Sequence, residues 1–471
     1  MIKNGQRRCR MGERLQATLF QPSFNRGVVV TLANADLSGD AGALIVREAA
    51  GQVGVLGALA TLADPRNQAL VEYPMADLVL SRLLLLAQGW TDQDDIDALR
   101  ADPALRAAVN TGRSASVIDR PLPSQPTLSR AMATLGTDGN REQLRVALLD
   151  VGLRRVRQDR GRSERLVIDL DSFPIETHGN QEGSAYNGHY HESCFHPIVA
   201  IADTGDILGI DLRAGNVHTA SEATTFLEPI VEAASRQHER VWVRFDAGFA
   251  AGPFFDWLDA RSLRFVTRLK ANAALHREVA AWRTKLAERW AVTRRDGQEP
   301  REATYEFWYK ADKWTRTRRV VAVLVERSDL DGTLFDQVFF LCSNVARREG
   351  SSRELLEFYR HRGSCEARIG EFVTEIVPNL SSPSRAVNEA TLRLAGLAYQ
   401  VAHHLRRKLE KFRREGLSLR RLRERALKAP ALLVRHARRA VLRVGLAFAE
   451  TWRELATVLR EPVDLQTEVQ A

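Results

Sequence analysis

Four carboxylates stand out for the company they keep. Asp169 and Asp171 lie two residues apart in the run RLVIDLDSF, so on a strand both leave the same face, where a carboxylate pair beside an apolar row is costly unless a cation shares it. Asp246 closes the run VWVRFD just before Ala-Gly, at a strand end, where sheets with crossover helices place functional groups. Glu366 follows Tyr359 and Arg362 at helical spacing, which sets all three along one stripe. Carboxylates gathered from separate segments suit the oxygen-ligand demands of Mg²⁺, and two such ions can activate the attacking oxygen and stabilise the leaving one in an in-line displacement at a phosphodiester. A lone strand Asp usually serves a turn or cap, and a lone helical Glu usually faces solvent, so the weight rests on the joint pattern.

The segments that must position these groups divide by hydrophobic period. Residues from about 36 to 155 carry apolar residues at three-to-four spacing between polar breaks, which predicts helices. Within them, Ser124 followed by Pro126 opens a short helix presenting Thr127, Ser129 and Arg130, either an ordinary capped surface helix or a DNA-contacting one. From Arg165 the pattern turns to strands: RLVIDLDSF, HPIVAIA and ILGIDLRAG, the last two joined by turn residues Asp203 to Asp206. Thr219 with Glu222 reads as a capping box opening a helix to about Gln237, followed by the strand VWVRFD, a helix near Pro253 to Arg261, and the strand RFVTRLK. That order belongs to a mixed sheet with helices packed on it. Residues 273–345 read as a β-rich insertion, with Trp308 and Trp314 more naturally sheet aromatics than base-stacking platforms. Ser351 and Glu354 form a second capping box, starting a helix that stops near Pro378, and a further helix covers roughly 385 to 412.

A chain of 471 residues accommodates two to four domains, and 68 Lys and Arg against 59 Asp and Glu, a net charge of +9, point to an anionic partner. Most of that excess lies between Leu405 and Lys428, where eleven basic residues meet three Glu; Arg420, Arg421, Arg423 and Arg425 are candidate phosphate contacts. Cys9, Cys194, Cys342 and Cys365 are scattered without CxxC spacing, which argues against a disulfide framework or a structural zinc site. Cys365 falls off the Glu366 stripe, as a packing residue does, and His178, His189 and His191 read as a polar loop shaping the rim of a site. The longest apolar run, Leu78 to Ala87, is short for a membrane span and holds Arg82, and the N-terminus shows no export signal, so no membrane partner and a cytoplasmic, nucleoid-associated location are expected.

Tyr359-Arg-His-Arg362-Gly-Ser-Cys-Glu366 matches the Y-(2)-R-(3)-E signature, and with it the chain resembles the DDE transposases of bacterial insertion sequences. GNQEGSAYNGHY (179–190), LPSQPTLSR (122–130) and NEATLRLAGLAYQVAHHLRRKL (388–409) narrow the resemblance to the IS1380 family, over nearly the whole chain. The resemblance implies an α/β protein: an RNase H-like catalytic core interrupted by a β-rich insertion, with an all-α N-terminal domain and basic C-terminal helices. Its parts would be a helical DNA-binding and assembly region (1–160), the core in two pieces (161–272 and 346–404), the insertion (273–345) and a basic helical C-terminal region (405–471). By the same resemblance Asp169 or Asp171, then Asp246 and Glu366, are the catalytic, metal-binding acids; Asp171, followed by the hydroxyl residue Ser172, is favoured for the first. Tyr359 and Arg362 would contact DNA. Where the fuller signature has Lys this chain has Val373, with Arg368 the nearest base. The implied activity is cut-and-paste transposition: binding of terminal inverted repeats, cleavage and strand transfer with two Mg²⁺ ions (Mn²⁺ able to substitute), a hairpin route for the second strand, and a homodimer in the synaptic complex on double-stranded DNA. The other readings are a catalytically silent DNA-binding regulator of transposase descent and a nuclease of the same fold without strand transfer.

Overall fold

The computed structural model describes residues 18–25, 27–32, 35–110, 118–161, 164–293, 301–328, 334–413, 416–436 and 439–460. After three short strands, β1 (Thr18–Phe20), β2 (Val30–Thr31) and β3 (Leu37–Ser38), the chain is helical: α1 (Ala43–Gln52), α2 (Val55–Ala60), α3 (Met75–Gln88), α4 (Asp95–Leu99), α5 (Pro103–Val109), α6 (Gln125–Leu135) and α7 (Asp138–Arg160). The apolar run expected to be a buried helix is α3, and Arg82 within it is satisfied by the carbonyls of Thr91 and Asp92 at 2.7 and 3.1 Å.

The strand-rich half follows as β4 (Arg165–Ser172), β5 (Ile175–Glu176), β6 (Ala185–Asn187), β7 (Glu192–Phe195), β8 (Ile198–Ala202), β9 (Ile207–Asp211), α8 (Ala223–Ser235), β10 (Arg240–Phe245), α9 (Gly252–Ala260) and β11 (Arg264–Leu269). Next come α10 (Ala273–Thr293), β12 (Glu302–Tyr309), β13 (Arg318–Ser328) and β14 (Leu334–Ser343). One eight-stranded mixed sheet runs in the order β12-β13-β14-β11-β10-β4-β8-β9. β4, β8 and β9 form the antiparallel meander expected from the sequence, and β10 pairs parallel with both β4 and β11. The parallel trio β4, β10 and β11 lies inside the sheet with its C-terminal ends together, and Asp171 and Asp246 lie at those ends.

Three expectations change. Residues 273–345 begin with a helix, α10, and their strands extend the central sheet through antiparallel pairing of β14 with β11. The helix after β9 starts at Ala223 with no capping box. Arg213 holds the Thr219 and Ser221 carbonyls at 2.9 and 2.8 Å, so 219–222 stay a loop, and Glu222 enters the helix with a left-handed φ of 60°. The basic C-terminal region is not wholly helical: Ala431–His436 and Arg439–Val444 pair as an antiparallel hairpin, whose Ala431, Leu442 and Val444 join a small core with Phe448 and Trp452.

The rest of the chain closes over the sheet. α11 (Ser352–Arg360) opens with the expected capping box, α12 (Arg362–Glu375) continues after a break at His361, and α13 (Arg385–Glu410) is buried along most of its length. α7 and α13 cover β9, and the fit is close: a Cβ on Gly152 of α7 would lie 2.5 Å from the Ile207 carbonyl oxygen. The net positive charge is less free than composition suggests, since Arg155, Arg319, Arg393 and Arg406 are buried in ion pairs with Asp206, Glu306, Asp211 and Glu371.

Candidate active site

Asp171 is the last acid on β4, Asp246 directly follows β10, and Glu366 lies in the first turns of α12. The three line a single cleft of about 510 Å³ together with Tyr359 and Arg362. The helix expected to carry Tyr359, Arg362 and Glu366 is interrupted at His361, whose φ of −62° and ψ of −11° stay helical, so the three side chains still reach one cleft.

Arg362 stands at its centre. The residue is 6% exposed, its guanidinium donates to Asp171 Oδ2 at 2.6 Å, and it also pairs with Glu366. Burial pushes the Asp171 carboxyl up to about 6; Arg362 opposes that shift, while Asp246 and Glu366 add to it. Burial also works against the Arg362 charge, yet Asp171, Tyr359, Glu366 and Asp246 together hold its pKa above the ordinary arginine value. The Asp246 side chain accepts from Gly248 N at 2.9 Å, which fixes the turn after β10.

The two candidates for the first acid differ in their surroundings. Asp169, 1% exposed, is gripped at both oxygens by Arg244, Nε and Nη2 each at 2.7 Å, and Arg244 also donates to the Phe358 carbonyl at 2.7 Å. Asp169 lines a smaller cavity behind the cleft, with Cys365 and Arg368. Asp171 lines the cleft itself. Arg368, a candidate DNA contact, bonds Glu371 at 3.0 Å on that rear side, and Val373 packs against the helical core.

Two further cations line the cleft. Arg268 and Lys270, exposed at the end of β11, line the same cleft, and the Arg268 guanidinium sits 5.2 Å from the Phe339 ring centre. Alternation along RFVTRLK already puts both on one face, a signal present without the structure. Of the insertion tryptophans, Trp314 is buried against Phe255, and Trp308, 61% exposed, pairs in register with Arg319 near the start of β13. Arg130 is exposed on α6; Arg420, Arg421 and Arg425 are exposed; Arg423 turns inward to Glu375 at 2.7 Å. His178, His189 and His191 are exposed, and among the described residues no three His, Cys, Asp or Glu stand close enough to hold a metal ion as placed. Among the described residues no helix is long and apolar enough to cross a membrane.

The fold and cleft thus define a mixed α/β protein with three acids and at least three cations around one open site at the C-terminal ends of central strands. The chain belongs to the family described as transposase DDE domain group 1, whose model matches residues 20–461. No curated protein matches it. Among solved structures, a piggyBac transposase synaptic complex with hairpin DNA matches at 10% identity, over 90% of this chain and 81% of that one, with a TM-score of 0.38, a likeness too loose to bear on the chemistry.

Proposed function

We propose that this transposase binds the terminal inverted repeats of its own insertion sequence, of IS1380 type, and cuts and rejoins DNA at the cleft of Asp171, Asp246 and Glu366, on an RNase H-like core. The observation that carries the reading is the convergence of these acids from β4, β10 and α12 on one open cleft beside Arg268, Lys270, Tyr359 and Arg362. Asp169 is left out of the acid set because Arg244 takes both its oxygens.

The donor set suits a hard divalent cation such as Mg²⁺: three carboxylates, one of them raised to about 6 because burial and its acidic neighbours disfavour its charge. Arg362 pairs with both Asp171 and Glu366, so the acids would fit an ion once that guanidinium turned away. Bound there, divalent ions supply Lewis-acid activation of the attacking oxygen and stabilisation of the leaving one. Asp171, Asp246 and Glu366 would hold them. Arg268 and Lys270 neutralise the phosphates that flank the reacting one, and Arg362 offers its planar donor fork to a phosphate. The Tyr359 phenol, pushed up by burial, stays protonated and can donate a hydrogen bond. Cutting both strands and transferring them, through a hairpin at the element end, requires two ends held together and hence a homodimer on DNA.

The test is cleavage and strand transfer on DNA carrying the element's ends, with Mg²⁺ or Ca²⁺, for wild type and Glu366→Gln. End cutting that needs Mg²⁺ and disappears in the variant, with DNA binding kept, supports the reading; equal cutting by the variant removes Glu366 from it. Robust cutting with no joined product would instead indicate a nuclease.

A further inference from the structure

We infer that the turn Asn187–His191 is a nucleobase platform: His189 and Tyr190 stack against an unpaired base next to the phosphodiester held in the cleft. This rests on the function proposed above.

The turn is built to hold its shape. Asn187 is buried, its Oδ1 accepts from His189 N at 2.9 Å, its Nδ2 donates to the Gly215 carbonyl at 2.7 Å, and its own carbonyl accepts from His191 N at 2.8 Å. His191 takes a φ of 60°, a left-handed conformation that a residue with a Cβ adopts at some energetic cost. Behind the turn, Gly215 is wedged so tightly that a Cβ there would lie 2.0 Å from the Cys194 carbonyl oxygen and 2.4 Å from that of Ala185. In front of it, a Cβ on Gly188 would meet nothing within 4 Å. On this backbone, constrained on one side and open on the other, His189 is exposed and Tyr190 half-buried.

What it displays is aromatic. The rings of His189 and Tyr190 meet edge to face at 4.8 Å, and Tyr190 meets His196 in the same way at 5.6 Å. His196 ties the group to the acids. Its Nδ1 lies 3.1 Å from the Val217 carbonyl, so Nδ1 carries the hydrogen, and Nε2, 3.0 Å from Ser172 Oγ, accepts from the residue that follows Asp171. Burial pushes the Tyr190 phenol up, and Asp171 and Asp246 push it further, so both acids lie within electrostatic reach of a ring that stays neutral. From Tyr186 to Glu192 the sequence YNGHYHE holds no Lys or Arg, so the turn is poor in the charge that grips phosphate and rich in ring faces. A base presents a π-face whatever its identity, which makes stacking the interaction this surface fits.

The experiment uses the full chain with DNA carrying the element's ends, Ca²⁺ in place of Mg²⁺, and 2-aminopurine replacing the bases on either side of the reactive phosphodiester. Binding should change the fluorescence of one of these probes in wild type and in Tyr190→Phe, which keeps the ring. Tyr190→Ala and His189→Ala should lose that change, and end affinity should fall about tenfold for DNA with an unpaired flanking base. His189 is exposed, so its variant guards against loss through misfolding. Were the signal identical in both alanine variants while wild type still cut and Glu366→Gln did not, the platform would be overturned and the active site kept. Wild type that neither bound nor cut the ends would overturn both.

Discussion

Two arginine–carboxylate pairs, rooted two residues apart on β4, differ in how fully each is closed. Asp169 and Arg244 are 1% and 3% exposed, joined by two bonds, and capped by a third from Arg244 to the Phe358 carbonyl. Asp171 and Arg362 are 15% and 7% exposed, joined by one bond, and share the arginine with Glu366. In the first pair one arginine holds both carboxylate oxygens, and it locks α11 to the sheet. In the second Asp171 takes one bond from Arg362 and one from its neighbour Ser172 N at 2.9 Å and faces two other acids, and among the described residues Arg362 Nε finds no hydrogen-bond partner.

The sharpest way to break the comparison is to neutralise each acid in turn. Asp171→Asn should lower end cleavage by at least about a thousandfold, as expected when an oxygen donor worth several kcal/mol to the reaction is lost, and should leave the fold intact. Asp169→Asn should instead destabilise the chain by about 3–5 kcal/mol, because it strands the buried Arg244 charge. Denaturant unfolding alongside a cleavage assay reads both. If Asp169→Asn folded normally and were inactive, the assignment of strut and reactive acid would be reversed.

The pH dependence of stability sharpens the same contrast. Asp171 and Asp206 are both raised from 3.8 to about 6, chiefly by burial, but Asp206 lies beside Arg155 under α7, away from the cleft. A carboxyl with a raised folded pKa binds its proton more tightly when folded. The stability each contributes is therefore complete below about pH 4 and is lost as pH rises through about 6, by roughly 3 kcal/mol per group. Denaturant titrations in chelator across that window should show the decline, and Asp171→Asn and Asp206→Asn should each remove part of it. Divalent ion should offset the Asp171 share alone. An Asp206→Asn variant that abolished the effect of the ion would contradict the placement of the metal site.

Arg362 offers a smaller effect. If it competes with a metal for Asp171 and Glu366, Arg362→Ala should bind Ca²⁺ about tenfold more tightly than wild type without DNA, the size expected for removing one charged hydrogen bond. Calorimetry at about pH 8, above the Asp171 titration, is the measurement. Unchanged or weaker binding would mean that the arginine does not shield the acids.

The legible part of this molecule is that written in local pattern. The meander, the strand before Asp246, the Ser351 capping box and the acids themselves follow from alternation and spacing over a few residues. What tells Asp169 from Asp171 is Arg244, far along the chain, and alternation on β4 alone leaves the two equivalent. The loop at 219–222 imitates a helix start for a similar reason: its backbone is claimed by Arg213, which local propensity does not count. Arg268 and Lys270 are within reach of the strand period, but only when the outward face of the strand is weighed along with its core residues. In the C-terminal hairpin, the density of arginine masks the alternating burial of Arg439–Val444.

That same density leads to the weakest expected effect and to a second contrast between tethered and free arginines. Arg420, Arg421 and Arg425 are exposed, with Arg420 paired to Glu424 at 3.0 Å one turn on, an arrangement that contributes little in water. Arg423 is held by the Glu375 side chain at 2.7 Å, and its guanidinium packs where a Cβ on Gly89 would fall, so it joins the end of α3 to the end of α12. If the exposed three bind phosphates, replacing them with Gln should flatten the salt dependence of DNA affinity by about 0.9 in log–log slope for each phosphate no longer neutralised, with stability unchanged. Arg423→Gln should do the reverse, lowering stability and leaving the slope alone. An unchanged slope in the triple variant would move the phosphate-binding groups to other parts of the surface and leave the basic run as a solvated face.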